Sequence, residues 1–301
     1  MHRPAVSTRL AQSETAEVER MLADAESVDG YRPVSDQFWA DLVHPGLRQF
    51  IATWIADDDG HFMAFAQSTS VDSSTWTCEI VVDPTARDDL DALLGQLLAT
   101  AERSVRDAGG TTLTWLVHGP TVAHEIAATA AGMALTRQLH QMRRSLPTGI
   151  AYELVTRPFD PERDIHQWLL VNARAFAWNP EQGTWTAANF RSRMDEPWFD
   201  EEGFLVHERE GRMAGFCWTK IHDSTSPRLG EIYVIAVDPD FHGLGLGRSL
   251  TLAGLDSLAS RGIGVGMLFV DAANAAAISL YDKLGFAVHR TDSMFEKRIT
   301  T

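Results

Sequence analysis

The chain has 301 residues, 45% of them apolar and 22% charged, with 22 Gly and 12 Pro; this is a globular composition long enough for one large domain or two ordinary ones, which excludes collagen-like and disordered readings. Against 26 Lys and Arg stand 41 Asp and Glu, a net −15, a field that repels nucleic-acid phosphates and anionic lipid. Two cysteines, Cys78 and Cys217, are too few for a disulfide scaffold or a four-cysteine zinc site, and the first twenty residues lack the apolar stretch of a secretion signal.

In chain order, CEIVVDP from Cys78 predicts a β-branched strand stopped by Asp83-Pro84. A loop over Thr85–Asp91, a leucine-rich helix and the stop Gly109-Gly110 follow. Residues 111–117 (TTLTWLV) read as the next strand, and 121–131 as an Ala-rich helix ended by Gly132. The pattern then returns. Residues 231–237 (EIYVIAV) predict a central strand ended by Asp238-Pro239, and Gly243-Leu244-Gly245-Leu246-Gly247 a loop. A helix over Arg248–Ser260, a strand over Gly266–Val270, a helix over Ala273–Leu284, Gly285 and a last strand from Phe286 complete the series. The two Asp-Pro pairs are 155 residues apart and the two stop glycines, 132 and 285, are 153 apart. Two landmarks keeping nearly one spacing argue for a duplicated domain of about 150 residues, and the boundary is expected near Pro147–Gly149, giving domains 1–148 and 149–301.

Glycines between a strand and a helix let a backbone approach an anion, toward which the first N–H groups of the helix point. The Gly-x-Gly-x-Gly spacing fits neither the dinucleotide fingerprint nor the nucleoside-triphosphate loop. It resembles the acetyl-CoA loop of the GCN5-related N-acetyltransferases (GNAT), Gln/Arg-x-x-Gly-x-Gly/Ala after V-D-P, with His242 in place of the first Gln or Arg. Asn274 and the Tyr281–Phe286 ending match that superfamily's final motif. The segments N-P-E-Q-G-T-W (179–185), E-P-W-F-D (196–200) and C-W-T-K (217–220), with the tandem layout, resemble the mycothiol synthase family of actinobacteria over essentially the whole chain.

That resemblance implies an α/β (α+β type) fold of two tandem GNAT domains, each a mixed twisted sheet flanked by helices. It implies a cytoplasmic, monomeric enzyme taking acetyl-CoA as co-substrate, with no metal and no nucleic-acid or membrane partner. The implied reaction acetylates the cysteinyl amine of desacetylmycothiol, the last step of mycothiol formation. Amine acetylation needs a neutral amine, a polarised thioester carbonyl and a proton for the leaving thiolate. Glu231, opening the strand that feeds the loop, is the candidate general base, and Tyr281 the candidate acid for the thiolate. The implied acetyl-CoA contacts are Ile235, Ala236 and Val237 for the pantetheine and thioester. His242, Gly243, Leu244, Gly245, Leu246, Gly247 and Arg248 would hold the pyrophosphate, and Asn274 with Ala275, Ala276, Ala277, Ile278 and Ser279 would border the pantetheine arm. The family's acceptor contacts fall on Asp36, Glu181, Lys220, Glu231, Phe269 and Asp271. Asp36 stands where a longer Glu is common, and Phe269 where a Tyr can occur.

In the first copy, alignment on the Asp-Pro pairs sets Trp76 against Glu231, and alignment on the stop glycines sets Ala128 against Tyr281. Its loop carries three aspartates and no glycine pair, which disfavours an anion. The first domain is therefore expected to be degenerate and non-catalytic, binding CoA weakly or not at all. His61, His118, His124 and His140 lack ligand spacing and are expected as solvated or core imidazoles. Two other readings stay open: a GNAT enzyme for another small amine or peptide N-terminus, and a non-catalytic CoA-binding regulatory protein.

Overall fold

A computed structural model describes residues 3–43, 48–178, 180–223 and 225–300. In chain order it contains β1 (Ala5–Ser7), α1 (Gln12–Asp29), α2 (Asp36–Val43), β2 (Phe50–Ala56), β3 (Phe62–Ser70), β4 (Thr75–Val82), α3 (Leu90–Asp107), β5 (Thr112–Val117), α4 (Val122–Ala130) and β6 (Ala134–Ser145). There follow β7 (Arg157–Pro158), α5 (Pro161–Ala175), α6 (Pro180–Gly183), α7 (Ala187–Met194), β8 (Phe204–Arg209), β9 (Arg212–His222), β10 (Leu229–Val237), α8 (Leu246–Ser260), β11 (Val265–Asp271), α9 (Ala275–Lys283) and β12 (Ala287–Arg298). The chain divides into two compact units: residues 1–139 with 290–301, and residues 140–289. This differs from an expected division at 148/149, because β6 and β12 each run from one unit into the other.

In the first unit the strands run β1-β2-β3-β4-β5-β12, antiparallel except for the parallel β4–β5 pair. One face packs on α3 and α4 through Leu93, Leu94, Leu97, Trp76 and Trp115. The other packs on α1 and α2 through Val18, Met21, Phe38 and Phe65. Apolar residues at three- and four-residue spacing give each helix one buried stripe.

The second unit repeats the plan. Its order is β6-β11-β10-β9-β8-β7, with β10 and β11 parallel. One face carries α8 and α9, closed by Leu250, Leu255, Leu258, Leu268 and Tyr281. The opposite face carries α5 and α7 over an aromatic core of Trp168, Phe190, Phe204, Phe216 and Trp218. Gly254 lets α8 lie close to the sheet: a Cβ there would collide with Cys217 Sγ and come within 2.8 Å of Ile232 Cδ1.

Each element for which the sequence predicts a range spans nearly those residues. Helix α8 starts two residues early, at Leu246, and so draws Gly247 into its first turn. The loop expected over Thr85–Asp91 is mostly a 3-10 turn over Pro84–Asp89.

Candidate active site

Strand β10 builds the site because it contains one residue more than its counterpart β4. Its pairing with β9 slips between Ile232 and Val234, opposite Thr219 and Trp218, so Tyr233 is a bulge. The bulge sets Tyr233 and Val234 both on the α5 side, whereas Ile232, Ile235 and Val237 face α8. Beyond it the parallel ladder stops. The last β10–β11 pair is Ile232↔Leu268, although β10 runs on to Val237 and β11 to Asp271. Along residues 234–237 alternate N–H and C=O groups therefore face the gap opened beside β11 instead of a partner strand, the Val237 carbonyl meeting His242 Nε2 there.

The β4–β3 ladder has no such slip. The strands begin 154 residues apart, at Thr75 and Leu229, and end 155 apart, at Val82 and Val237. Upstream of the bulge the true counterpart of Glu231 is therefore Thr77, not Trp76 as expected from the Asp-Pro alignment. Helices α4 and α9 keep a constant offset, which leaves buried Ala128 opposite Tyr281. Glu79 and His118 flank the corresponding strands of the first unit, and His118 Nε2 lies 3.2 Å from Glu79 Oε2. The β4–β5 ladder also ends early, at Glu79↔Leu116, although β4 runs on to Val82.

The glycine loop lies at the end of β10. Gly243 and Gly245 have φ of +80° and +75°, the left-handed region, with open space where a Cβ would project. Gly245 is the N-cap of α8, so the N–H groups of Leu246, Gly247 and Arg248 have no carbonyl within the helix to bond, and they sit at its positive end. Around this cradle Gly243, Leu244 and Arg248 are exposed. His242 Nε2 is 3.1 Å from the Val237 carbonyl, so this ring nitrogen is held by the backbone. Asn274 Oδ1 accepts from Ala277 N at 3.1 Å and caps α9. In that helix Ala275, Ala276 and Ser279 are exposed, while Ala277 and Ile278 pack inward.

Glu231 is not a solvated strand end. It is 7% exposed, two residues before the bulge, opposite Lys220 on β9 and Met267 on β11. Its Oε2 lies 2.7 Å from His222 Nε2. His222 pairs with Leu229, which makes it the diagonal neighbour of Glu231 on one face of the sheet. The sequence reading missed it. The signal was the alternation in W-T-K-I-H, where Trp218, Lys220 and His222 share parity. The Lys220 ammonium lies 4.8 Å from the Trp198 ring and 5.8 Å from that of Tyr233, favourable cation–π geometry.

Tyr281 lies on the other face, in the α8–α9 core against Phe286 (ring centroids 5.7 Å apart). Burial, with the nearby Cys217 thiol adding to it, pushes the phenol up to about 12, so it keeps its proton at neutral pH. Phe269 is 36% exposed on β11. Asp271 ends that strand, and its Oδ1 accepts from Ala273 N at 2.9 Å. The side chains of Asp36 and Glu181 lie outside the described residues. Glu231, Lys220 and the glycine cradle thus belong to one unit, with Tyr281 on the opposite side of the opened strands from Glu231.

Comparison with known proteins adds to this geometry. The model of the acetyltransferase (GNAT) family matches residues 165–286, all within the second unit. A mycothiol acetyltransferase of Thermobispora bispora is 41% identical over 93% of this chain and 95% of the relative. That of Streptomyces coelicolor is 37% identical over 95% and 92%. Among solved structures, a GCN5-related N-acetyltransferase from Sphaerobacter thermophilus superposes with a TM-score of 0.78 at 20% identity, covering 99% of this chain and 96% of that one. A tandem GNAT protein of clavulanic acid biosynthesis gives 0.73 at 16% identity, over 100% and 99%. These two likenesses establish the tandem fold.

Proposed function

The chain belongs to the mycothiol acetyltransferase family, within the GNAT acetyltransferases, and from that premise we propose that it acetylates the cysteinyl amine of desacetylmycothiol at the second unit, in the cytoplasm. The observation that carries the reading is the junction on β10, where a buried carboxylate, a bulge, an opened strand edge and a glycine-capped helix follow one another within 17 residues, Glu231 to Gly247.

The residues fit acetyl-CoA. Gly243, Gly245 and the first turn of α8 form an anion cradle whose two glycines hold a positive φ that any other residue would strain, suited to a pyrophosphate. The free edge of residues 234–237 suits the pantetheine amides, which pair with a strand edge as another strand would. Bound there, acetyl-CoA supplies the activated acetyl thioester.

Glu231 takes one proton from the acceptor ammonium, leaving a neutral amine to attack. An N–C bond forms, and the C–S bond breaks. Tyr281 Oη gives its proton to the departing sulfur, and the surplus proton on the new amide nitrogen returns to the Tyr281 phenolate. Each turnover therefore releases one proton, the one that Glu231 removes. The acceptor contacts are assigned to Asp36, Glu181, Lys220, Phe269 and Asp271 from the family motif alone. Lys220 brings three donors, which suit sugar hydroxyls.

The test follows free CoA thiol with purified protein, acetyl-CoA, and desacetylmycothiol or simple amines. Turnover with desacetylmycothiol alone is expected. Turnover only with simple amines would keep the acetyltransferase and remove the acceptor, while no release with any amine would favour a regulatory CoA-binding protein. Glu231→Gln and Tyr281→Phe are each expected to lower kcat by roughly 10- to 1,000-fold, and undiminished kcat would overturn the role of the residue concerned.

A further inference from the structure

A buried base works only if its carboxylate faces the amine in one orientation, and the second unit contains a side chain placed to fix that orientation. His222 closes β9, and its Nε2 is 2.7 Å from Glu231 Oε2. Both residues project from the same face of adjacent antiparallel strands. Counted over the side chain alone, Glu231 is 9% exposed and His222 23%. On the next turn of chain Thr225 Oγ1 donates to the His222 carbonyl at 3.1 Å, and the Arg228 guanidinium pairs with Asp223 at 2.6 Å. Lys220 stands opposite Glu231, and its ammonium lies over the Trp198 ring.

We propose that His222 is the positioning residue of the acetyl-transfer base: its Nε2–H donates to Glu231 Oε2, locks the carboxylate rotamer, and leaves Oε1 as the oxygen presented to the acceptor amine. This rests on the reading of Glu231 as base and names the group that aims it. The chemistry favours a hydrogen bond over a second base. One oxygen of a carboxylate held by a charge-assisted bond cannot rotate away, and misplacing a reacting group by about 1 Å costs on the order of a hundredfold in rate. The donor that aims the base comes from the same strand as Lys220, so β9 contributes both.

The test is steady-state kinetics of the full-length chain with acetyl-CoA and desacetylmycothiol, comparing His222→Ala, His222→Gln, Glu231→Gln and Glu231→Gln/His222→Ala. Glutamine carries an N–H donor at nearly the reach of Nε2 but cannot shuttle a proton. His222→Ala is expected to lower kcat by about 10- to 100-fold with KM for acetyl-CoA unchanged within about twofold. His222→Gln is expected to restore most of that loss. In the Glu231→Gln background His222→Ala should cost less than about twofold, because the aim of an absent base no longer matters. Wild-type kcat in His222→Ala would overturn the proposal while leaving Glu231 intact. So would a His222→Gln variant as slow as the alanine, because glutamine keeps the donor and loses only the capacity of the imidazole to carry a proton. Full activity in Glu231→Gln would instead remove the underlying assignment of the base. If the His222→Ala chain fails to fold, seen as a lost thermal transition, His222→Leu, which fills the space without a donor, takes its place: wild-type kcat in it, or an undiminished loss in the Glu231→Gln background, would overturn the proposal.

Discussion

Replacing His118 by Gln tests the electrostatics of the first unit. The imidazole is 11% exposed, with Nδ1 3.0 Å from Asp292 Oδ2 and Nε2 3.2 Å from Glu79 Oε2. Burial alone would lower its pKa, but hydrogen bonds from both ring nitrogens to the two carboxylates reverse this and raise it from 6.5 to about 9. A group whose folded pKa lies above its unfolded value contributes its full stability below the unfolded pKa and loses it as pH rises through the folded one. For a rise of that size the contribution is about 3 kcal/mol, present below pH 6.5 and fading by about pH 9. In a unit of this size a kilocalorie shifts the midpoint by about 2–4 °C, so the transition should fall by roughly 6–12 °C in His118→Gln at pH 6. The difference should shrink to a few degrees near pH 9.5. Scanning calorimetry of the full-length protein and the variant from pH 6 to 9.5 measures it. Parallel curves across that range would refute the buried imidazolium.

His124 should act on the opposite limb. Burial, aided by Arg87, lowers its pKa to about 4, so its share of stability is present above pH 6.5 and lost as pH falls toward 4; His124→Asn should flatten the acid limb of the same calorimetric profile. Gly245→Ala forces a side chain onto φ +75°, at about 1–2 kcal/mol, and should raise KM for acetyl-CoA about tenfold or more with folding retained. An unchanged KM would argue against the cradle. Gly254→Ala drives a methyl into Cys217 Sγ and Ile232 Cδ1 and should cost about 1–3 kcal/mol in urea unfolding. If the second unit alone is catalytic, Glu231→Gln/Tyr281→Phe should leave no CoA release above the uncatalysed rate, because the first unit offers Thr77 and Ala128 at those places; residual turnover at a tenth of wild type would contradict this.

The local plan was legible because Asp-Pro stops, a glycine cluster and capping residues act over a few residues. Asn274 marked the start of α9 through its own hydrogen bond, and the loop glycines announced positive φ. Two features were hidden. The bulge at Tyr233 is an insertion of one residue inside an apolar run, and only the register with Thr219 and Trp218 exposes it. An alignment anchored downstream, at Asp238, therefore misplaced Glu231 by one. His222 was equally invisible, because adjacency across strands depends on pairing rather than on sequence distance. His118 was placed among ordinary imidazoles, since its partners Glu79 and Asp292 are 39 and 174 residues away.

The last strand also sets an order of events in synthesis. Residues 290–301 finish the first unit, where β12 pairs with β5 from Ser293↔Val117 to Arg298↔Thr112 and Phe295 and Ile299 enter its core. They are translated only after the whole of the second unit, residues 140–289. The half made first must wait for the other half to be translated before it can close. A fragment cut at residue 148 would lack the strand that pairs with β5 and the Asp292 partner of His118, and a chain cut at residue 289 would damage the first unit rather than the second.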